Sequence, residues 1–557
     1  MRRLGGVLAA AVFGLAACTN APPPPLVPDS EVPTIVTTGP KIKEIVLGVD
    51  EVKGGYNPHT LAGQSAMTTA LSSLLLPSAF RPAQDGAPQL DRTLLVSAQV
   101  TKAEPFTVTY TIRRDASWSD SAPIAAEDFA YLSERMRNEP GVVDAAGYRL
   151  IQNVGSREGG KVVEVTFAKP FPGWRSLFGN LLPAHLLKDA PGNWSSVLAT
   201  GFPATAGPFA VRSLDEPRGE VILERSDRYW EAPTTLDRVV LRRSGHQEMA
   251  DSLKDGDVQA ALLRADAIAL NLLRPVPGLV TKAVPRNEVV QLLVRPASPQ
   301  LATSTVRKAL VAALDRDTLI AAGTGNGPSA QLRADSLVVP PSRPGYQATI
   351  PAGISDKVKA EQLLTSAGYV KTAAGWGKDG KPLQIRIAAQ QGVEPYLTVA
   401  NEAQRQLKAF GIDASVITPN AEELYGRLLV SKLSESEGSV DIAVVPRADG
   451  GDSAAALASS FGCVTTPPDG GTAGPVNSTG FCDRSMQPSI EAVLTGKTPL
   501  ADGLTALEPQ LWEQAVALPL FQVADLLAVT PAVSGVDAGA PLAGVLSGAP
   551  EWRRLDR

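Results

Sequence analysis

Cysteine and histidine are scarce in this chain, with 3 of each among 557 residues. His59, His185 and His246 lie far apart and never at metal-ligand spacing, so each reads as a surface or hydrogen-bonded histidine rather than a catalyst. No Cys-x-x-Cys pair is present to suggest zinc. A G-x-S-x-G nucleophile elbow is also missing. "TGKT" (Thr495 to Thr498) has the tail of a phosphate loop, but Glu491 stands where that loop needs its first glycine. The net charge is −5, and no basic block interleaves with aromatics, which sets nucleic acid aside. No apolar run approaches the roughly 20 residues a membrane-spanning helix needs. These absences favour a binding protein over an enzyme.

What is present begins at the N-terminus. Arg2 and Arg3 precede an uncharged stretch, Leu4 to Ala17, with the shape of a secretory signal, residues 1–17. The tetrad Leu15-Ala16-Ala17-Cys18 resembles a bacterial lipobox, in which the cysteine becomes the acylated N-terminus. The alternative is an ordinary secreted protein with a chance cysteine. Residues 18–40, including "APPPPLVPDSEVP", cannot pack a core and favour extended polyproline conformations, so they read as a tether. Two or more acyl chains give lasting attachment where one is marginal. The expected location is the outer face of the cytoplasmic membrane, lipid-anchored. Cys463 and Cys482 bracket a Pro/Gly-rich stretch and, outside the cytoplasm, read as a disulfide; two free buried thiols are the alternative.

The length allows two to four domains at about 150 residues each. "KIKEIVLGV", "FTVTYTIRR" and "GKVVEVTFA" alternate as strands, and Ala125 to Met136 places Phe129, Leu132 and Met136 on one helical face. "TVRKALVAALDRDTLI" predicts one helix over 305–320, and a second runs from Ser355 to a stop at Gly368. Leu383 to Ala389, Tyr396 to Phe410 and Ile412 to Ile417 predict a β-α-β unit with parallel strands. A helix over Ala421 to Leu433 and a strand over Val440 to Val445 continue the series.

Several stretches, in order, resemble the family 5 extracytoplasmic substrate-binding proteins of the peptide/nickel type. They are "YNPH" (Tyr56 to His59), "FTVTYTIRRDASWSDSAPIAAEDFAYL", "TAGPF", "RSDRYW", "LKDGDVQ", "VRKALVAALDR", "AEQLLTSAGY" and "RQLKAFGI". "LPSAFRP", "PGVVDAAGYRLI", "LLPAHLLKD" and "GFCDRSMQ" are similar to a mycobacterial lipoprotein branch of that family. The resemblance implies a mixed α/β fold, periplasmic-binding-protein-like of type II, with three lobes around a ligand cleft. Its expected boundaries are 41–75, 200–290 and 510–557 for a discontinuous first lobe, 76–199 for the second and 291–509 for the third.

For function, the branch implies a monomer that binds a phosphatidylinositol mannoside-like intermediate and regulates lipomannan and lipoarabinomannan synthesis. Its partner would be a mannosyltransferase or an ABC permease, with no cofactor and no reaction catalysed. The alternative is an oligopeptide-binding receptor of an ABC importer. Peptide-binding relatives carry an acidic residue in a "W-x-x-D-Y-P-D-P" segment, where it pairs with the peptide amine. Asp449, in "VVPRADGGDSAAAL", occupies that place without the flanking tryptophan and tyrosine. Asp449, Asp452, Trp118 and Trp376 are the candidate ligand contacts, although Trp118 sits in a family motif where packing competes.

Overall fold

The alternation in "EIVLGV" sends Ile45, Leu47 and Val49 to one side of a strand and Val46 to the other, and both sides are buried. A strand covered on both faces belongs inside a larger sheet. In the computed structural model this strand, β1 (Glu44–Val49), is part of a sheet of ten. The structure describes residues 42–52, 55–430, 440–463, 477–541 and 543–555. Cys18 and the proline-rich segment lie outside the described residues.

After β1 the chain forms helix α1 (Ala66–Leu75) and a separate antiparallel sheet. That sheet contains β2 (Leu95–Lys102), β3 (Thr107–Ile112), β4 (Ile151–Arg157) and β5 (Val162–Phe167), in the order β2-β3-β5-β4. Helix α2 (Ala126–Asn138) covers it, with Phe129, Leu132 and Met136 packed among Tyr110, Val163 and Val165. The chain then returns to the large sheet with β6 (Phe209–Asp215), β7 (Glu220–Arg225), β8 (Arg238–Arg243), β9 (Ala260–Leu263) and the long β10 (Val280–Val294).

The single helix expected over 305–320 is two: α3 (Ser304–Ala313) and α4 (Arg316–Thr324). Asp315 takes an extended backbone and accepts the Thr318 N–H at 3.1 Å, so it caps a new helix instead of continuing the old one. The break turns Arg316 inward, where it donates to the carbonyls of Pro519, Ala334 and Leu520.

The β-α-β unit has its expected form. Strand β11 (Gln384–Ala389), helix α5 (Tyr396–Phe410) and strand β12 (Asp413–Ile417) follow one another, and β11 and β12 pair in parallel. Gly411 ends α5 with φ 94°, a conformation that suits glycine. The described part of the helix expected over 421–433 is a wider π-type helix, Glu422–Leu428. β13 (Ile442–Ala448), α6 (Ser453–Phe461) and β14 (Ala517–Val529) complete the core elements.

The order across the large sheet is β12-β11-β13-β10-β14-β9-β1-β8-β7-β6. Its two ends serve different cores. Around β11 and β13 lie Val290, Leu292, Ile385, Ile387, Val444 and Phe521. Around β1 lie Ile45, Leu47, Val239, Leu527 and, from the chain's far end, the fully buried Trp552. β10 and β14 carry the sheet from one core to the other. Their ladder is interrupted between Pro285 and Val289, so residues 286–288 stand at the crossing point.

Candidate ligand-binding site

Helix α1 has no charged residue and is capped by Ser65, whose hydroxyl accepts the Thr68 N–H at 3.0 Å. Residues four apart on a helix share a face, which aligns Thr68 with Ser72 and Thr69 with Ser73. This hydroxyl stripe walls a cavity of about 540 Å³. Ala66, Met67 and Ala70 wall a second cavity of about 670 Å³, and Ala66, Thr69 and Ala70 a third of about 250 Å³. The helix is thus the common wall of three hollows.

The interrupted ladder supplies the floor. Arg286 grips Asp525 through two bonds of 2.7 and 2.5 Å and Glu288 through one of 3.1 Å. Asp525 and Glu288 raise the Arg286 pKa, whereas burial raises that of Glu288. Gln522 donates to the Arg286 carbonyl at 2.8 Å and to Ser342 at 2.7 Å, tying the crossing point to the loop before Arg343. In the second hollow Asp50 accepts the Arg264 N–H, and burial pushes its carboxyl up to about 6.

Asp449 and Asp452 both line the first cavity, yet both are committed. Asp449 is buried, accepts the Gly451 N–H at 2.9 Å, and forms an ion pair with Arg343 at 3.2 Å. Asp452 caps α6 by accepting the Ala455 N–H at 2.7 Å. Neighbouring Asp144 accepts the Gly450 N–H at 2.7 Å; burial and the Asp449 charge push its carboxyl up to about 7.

Trp118 and Trp376, the other two candidate contacts, are buried and line none of these three cavities. Trp118 is 1% exposed within the α2 core and directs its indole N–H at Asp128. Trp376 lies parallel to Phe410 at 6.0 Å and donates to the Phe410 carbonyl. Burying so large an apolar side chain is worth more than presenting it to water. The aromatics on the first cavity's wall are Phe80 and Tyr148, and Trp174 stands behind Arg175. It is buried, and the exposed Arg175 guanidinium lies 4.2 Å above its ring at the wall. His59 also lines this cavity, held by the Asn180 carbonyl at 2.9 Å and stacked on Trp194; burial lowers its pKa to about 4. Cys463 and Cys482 form a disulfide.

The model of the bacterial extracellular solute-binding proteins, family 5 (middle part), matches residues 93–467. The chain belongs to this family. As a family 5 solute-binding protein it is 36% identical, over 99% of its own length and 97% of the relative's, to a Mycobacterium tuberculosis protein named probable monoacyl phosphatidylinositol tetramannoside-binding protein LpqW. Against the oligopeptide-binding protein OppA of the same organism, identity is 26% over 61% of this chain and 58% of that one. The oligopeptide-binding protein AppA of Bacillus subtilis, solved with a nonapeptide, shares the fold with a TM-score of 0.73 at 17% identity, covering 92% of this chain and 100% of that one. The fold is therefore the three-lobed α/β architecture of family 5, and the role of the chain is binding.

Within this solute-binding protein a motif marks the carboxylates in the sequence, whereas no motif marks α1. Its signal was the pair of hydroxyl dipeptides, Thr68-Thr69 and Ser72-Ser73, at helical spacing in an otherwise apolar segment.

Proposed function

We propose that this protein is a lipid-anchored, extracytoplasmic binding protein whose cleft takes the headgroup of a phosphatidylinositol mannoside-like glycolipid. Through that ligand it regulates lipomannan and lipoarabinomannan synthesis, as a monomer at the outer face of the cytoplasmic membrane. Acylation of Cys18 supplies the anchor, and a mannosyltransferase or a permease supplies the partner.

The observation that carries this reading is the wall of the first cavity. A sugar needs many donors and acceptors of modest strength, and each hydroxyl of α1 keeps an acceptor site beyond the bonds it already makes. A peptide amine instead needs a free, desolvated carboxylate. Asp449, at the place of that carboxylate, is neutralised by Arg343. Arg175, exposed at the same wall and forming no ion pair among the described residues, suits the ligand's phosphate. The 36% identity to LpqW over nearly the whole chain supports the same ligand class.

Native mass spectrometry of the body from Thr19 onward, purified from its host's envelope extract, tests this reading. The expected result is a retained mannosylated phosphatidylinositol. A ladder of peptide masses would overturn it in favour of an oligopeptide receptor.

A further inference from the structure

Val143 and Asp144, on the wall of the main cavity, also border a small hollow of about 70 Å³. Arg447 lines it from β13 and Arg149 from the end of the short helix Ala146–Arg149. Arg447 is 5% exposed and spends one N–H on the Val338 carbonyl; its Nε and Nη2 are buried with no partner. The Arg149 Nε is likewise buried and unpartnered. Neither guanidinium forms an ion pair among the described residues, and burial lowers the pKa of both.

A buried cation without a partner is costly, and donors left unmade add to that cost. Asp449, then Asp144 and Glu508, offset part of the Arg447 charge through space, but none of them takes its free N–H bonds. Glu139 is held by Arg135 at 2.8 Å, and Asp144 accepts the Gly450 N–H, with burial and the Asp449 charge pushing its carboxyl up to about 7. The remaining polar side chains of the wall, Gln291, Tyr425, Ser459, Ser460, Asn477 and Ser478, are neutral. Two guanidinium groups with free N–H bonds, faced by hydroxyls in a space of this size, match a tetrahedral oxyanion in charge, donors and volume.

We propose that this hollow is a binding site for a phosphate-sized oxyanion, independent of the main cavity and of the glycolipid reading. Arg149 belongs to the α2 side of the molecule and Arg447 to the β10–β13 side, so the ion bridges two cores. A second link already joins these sides: the Ala146 N–H donates to the Ser459 hydroxyl at 3.0 Å. The ion is either free phosphate or the phosphoryl group of a larger molecule.

The test is calorimetric titration of the dialysed soluble body with inorganic phosphate and, separately, with glycerol 3-phosphate. Thermal unfolding is followed at matched chloride ionic strength. The expected result is saturable phosphate binding that raises the unfolding midpoint, and at least a tenfold loss of affinity in Arg149→Met. Arg149 makes no hydrogen bond that its loss would break, so that variant separates binding from misfolding. Binding of phosphate alone identifies a free ion; binding of both identifies an open phosphoryl site. No saturable heat, a shift reproduced by chloride, or an Arg149→Met variant equal to wild type would overturn the proposal.

Discussion

Arg343 and Asp449 meet in a setting where both are mostly withdrawn from water, with side-chain exposures of 13% and 3%. Removing one partner of such a pair leaves the other as an uncompensated charge, at a cost of about 3 kcal/mol. Arg343→Met is therefore expected to lower the stability measured by urea unfolding by that amount, and adding Asp449→Asn to restore most of it. Asp144 adds a pH dependence. Its folded carboxyl titrates near 7, well above its ordinary 3.8, so between about pH 4 and 7 the folded chain holds a proton that the unfolded chain has released. Its contribution is fully present below that window and is lost as the pH rises through it. Unfolding midpoints of wild type and Asp144→Asn should therefore diverge from pH 4 to pH 7, with the asparagine variant gaining. The sequence made Asp449 visible through its family position. It hid Arg343, because nothing local marks a partner supplied by a distant loop. Trp118 and Trp376 were equally visible as residues, but composition does not say which side of an element a ring faces.

At the scale of elements, legibility followed periodicity. Strand β11, helix α5 and strand β12 were readable because an apolar face of period 3.6 ends at a glycine between two alternating runs. The α3–α4 break was not, because the apolar spacing runs on through Leu314 while one capping side chain, Asp315, stops the helix. Helix α1 carries no such signal, because its cavity-lining stripe is built of small hydroxyls. Thr69 and Ser73 are the partly exposed members of that stripe. Replacing them as Thr69→Val and Ser73→Ala keeps the shape and removes hydrogen-bonding capacity of about 1 kcal/mol per bond. The expected outcome is a tenfold or greater loss of affinity for a mannosylated phosphatidylinositol, read by titration, with an unchanged unfolding midpoint. The Cys463–Cys482 bridge closes a loop with a sequence separation of 19. On the chain-entropy model a closure of this size is worth about 3 kcal/mol. A Cys463→Ser, Cys482→Ser double variant should lose that amount in chemical denaturation.

For the whole molecule, the anchor and the body are separable claims. Cys18→Ala is expected to move the protein from the membrane to the soluble fraction without changing its unfolding curve; a variant still wholly in the membrane fraction would end the anchor reading. The body itself is less divisible than its lobes suggest. β1 stands between strands from later in the chain, and the core it helps to build is closed by Trp552, near the other end. Strand β14, which links that core to its neighbour, begins only at Ala517. Long-range closure of this kind is slow, because chain entropy is lost before the contacts form. A chain emerging N-terminus first therefore holds β1 unpaired until β8 and β9 arrive, and the core around it stays open until Leu527 and Trp552 follow. The segment carrying β2 to β5 and α2, enclosed between those two visits, has most of its partners close at hand from the start. Closure of the first core is thus timed by completion of the chain, a delay that suits the export proposed above, in which a polypeptide is threaded through a channel unfolded and assembled on the far side.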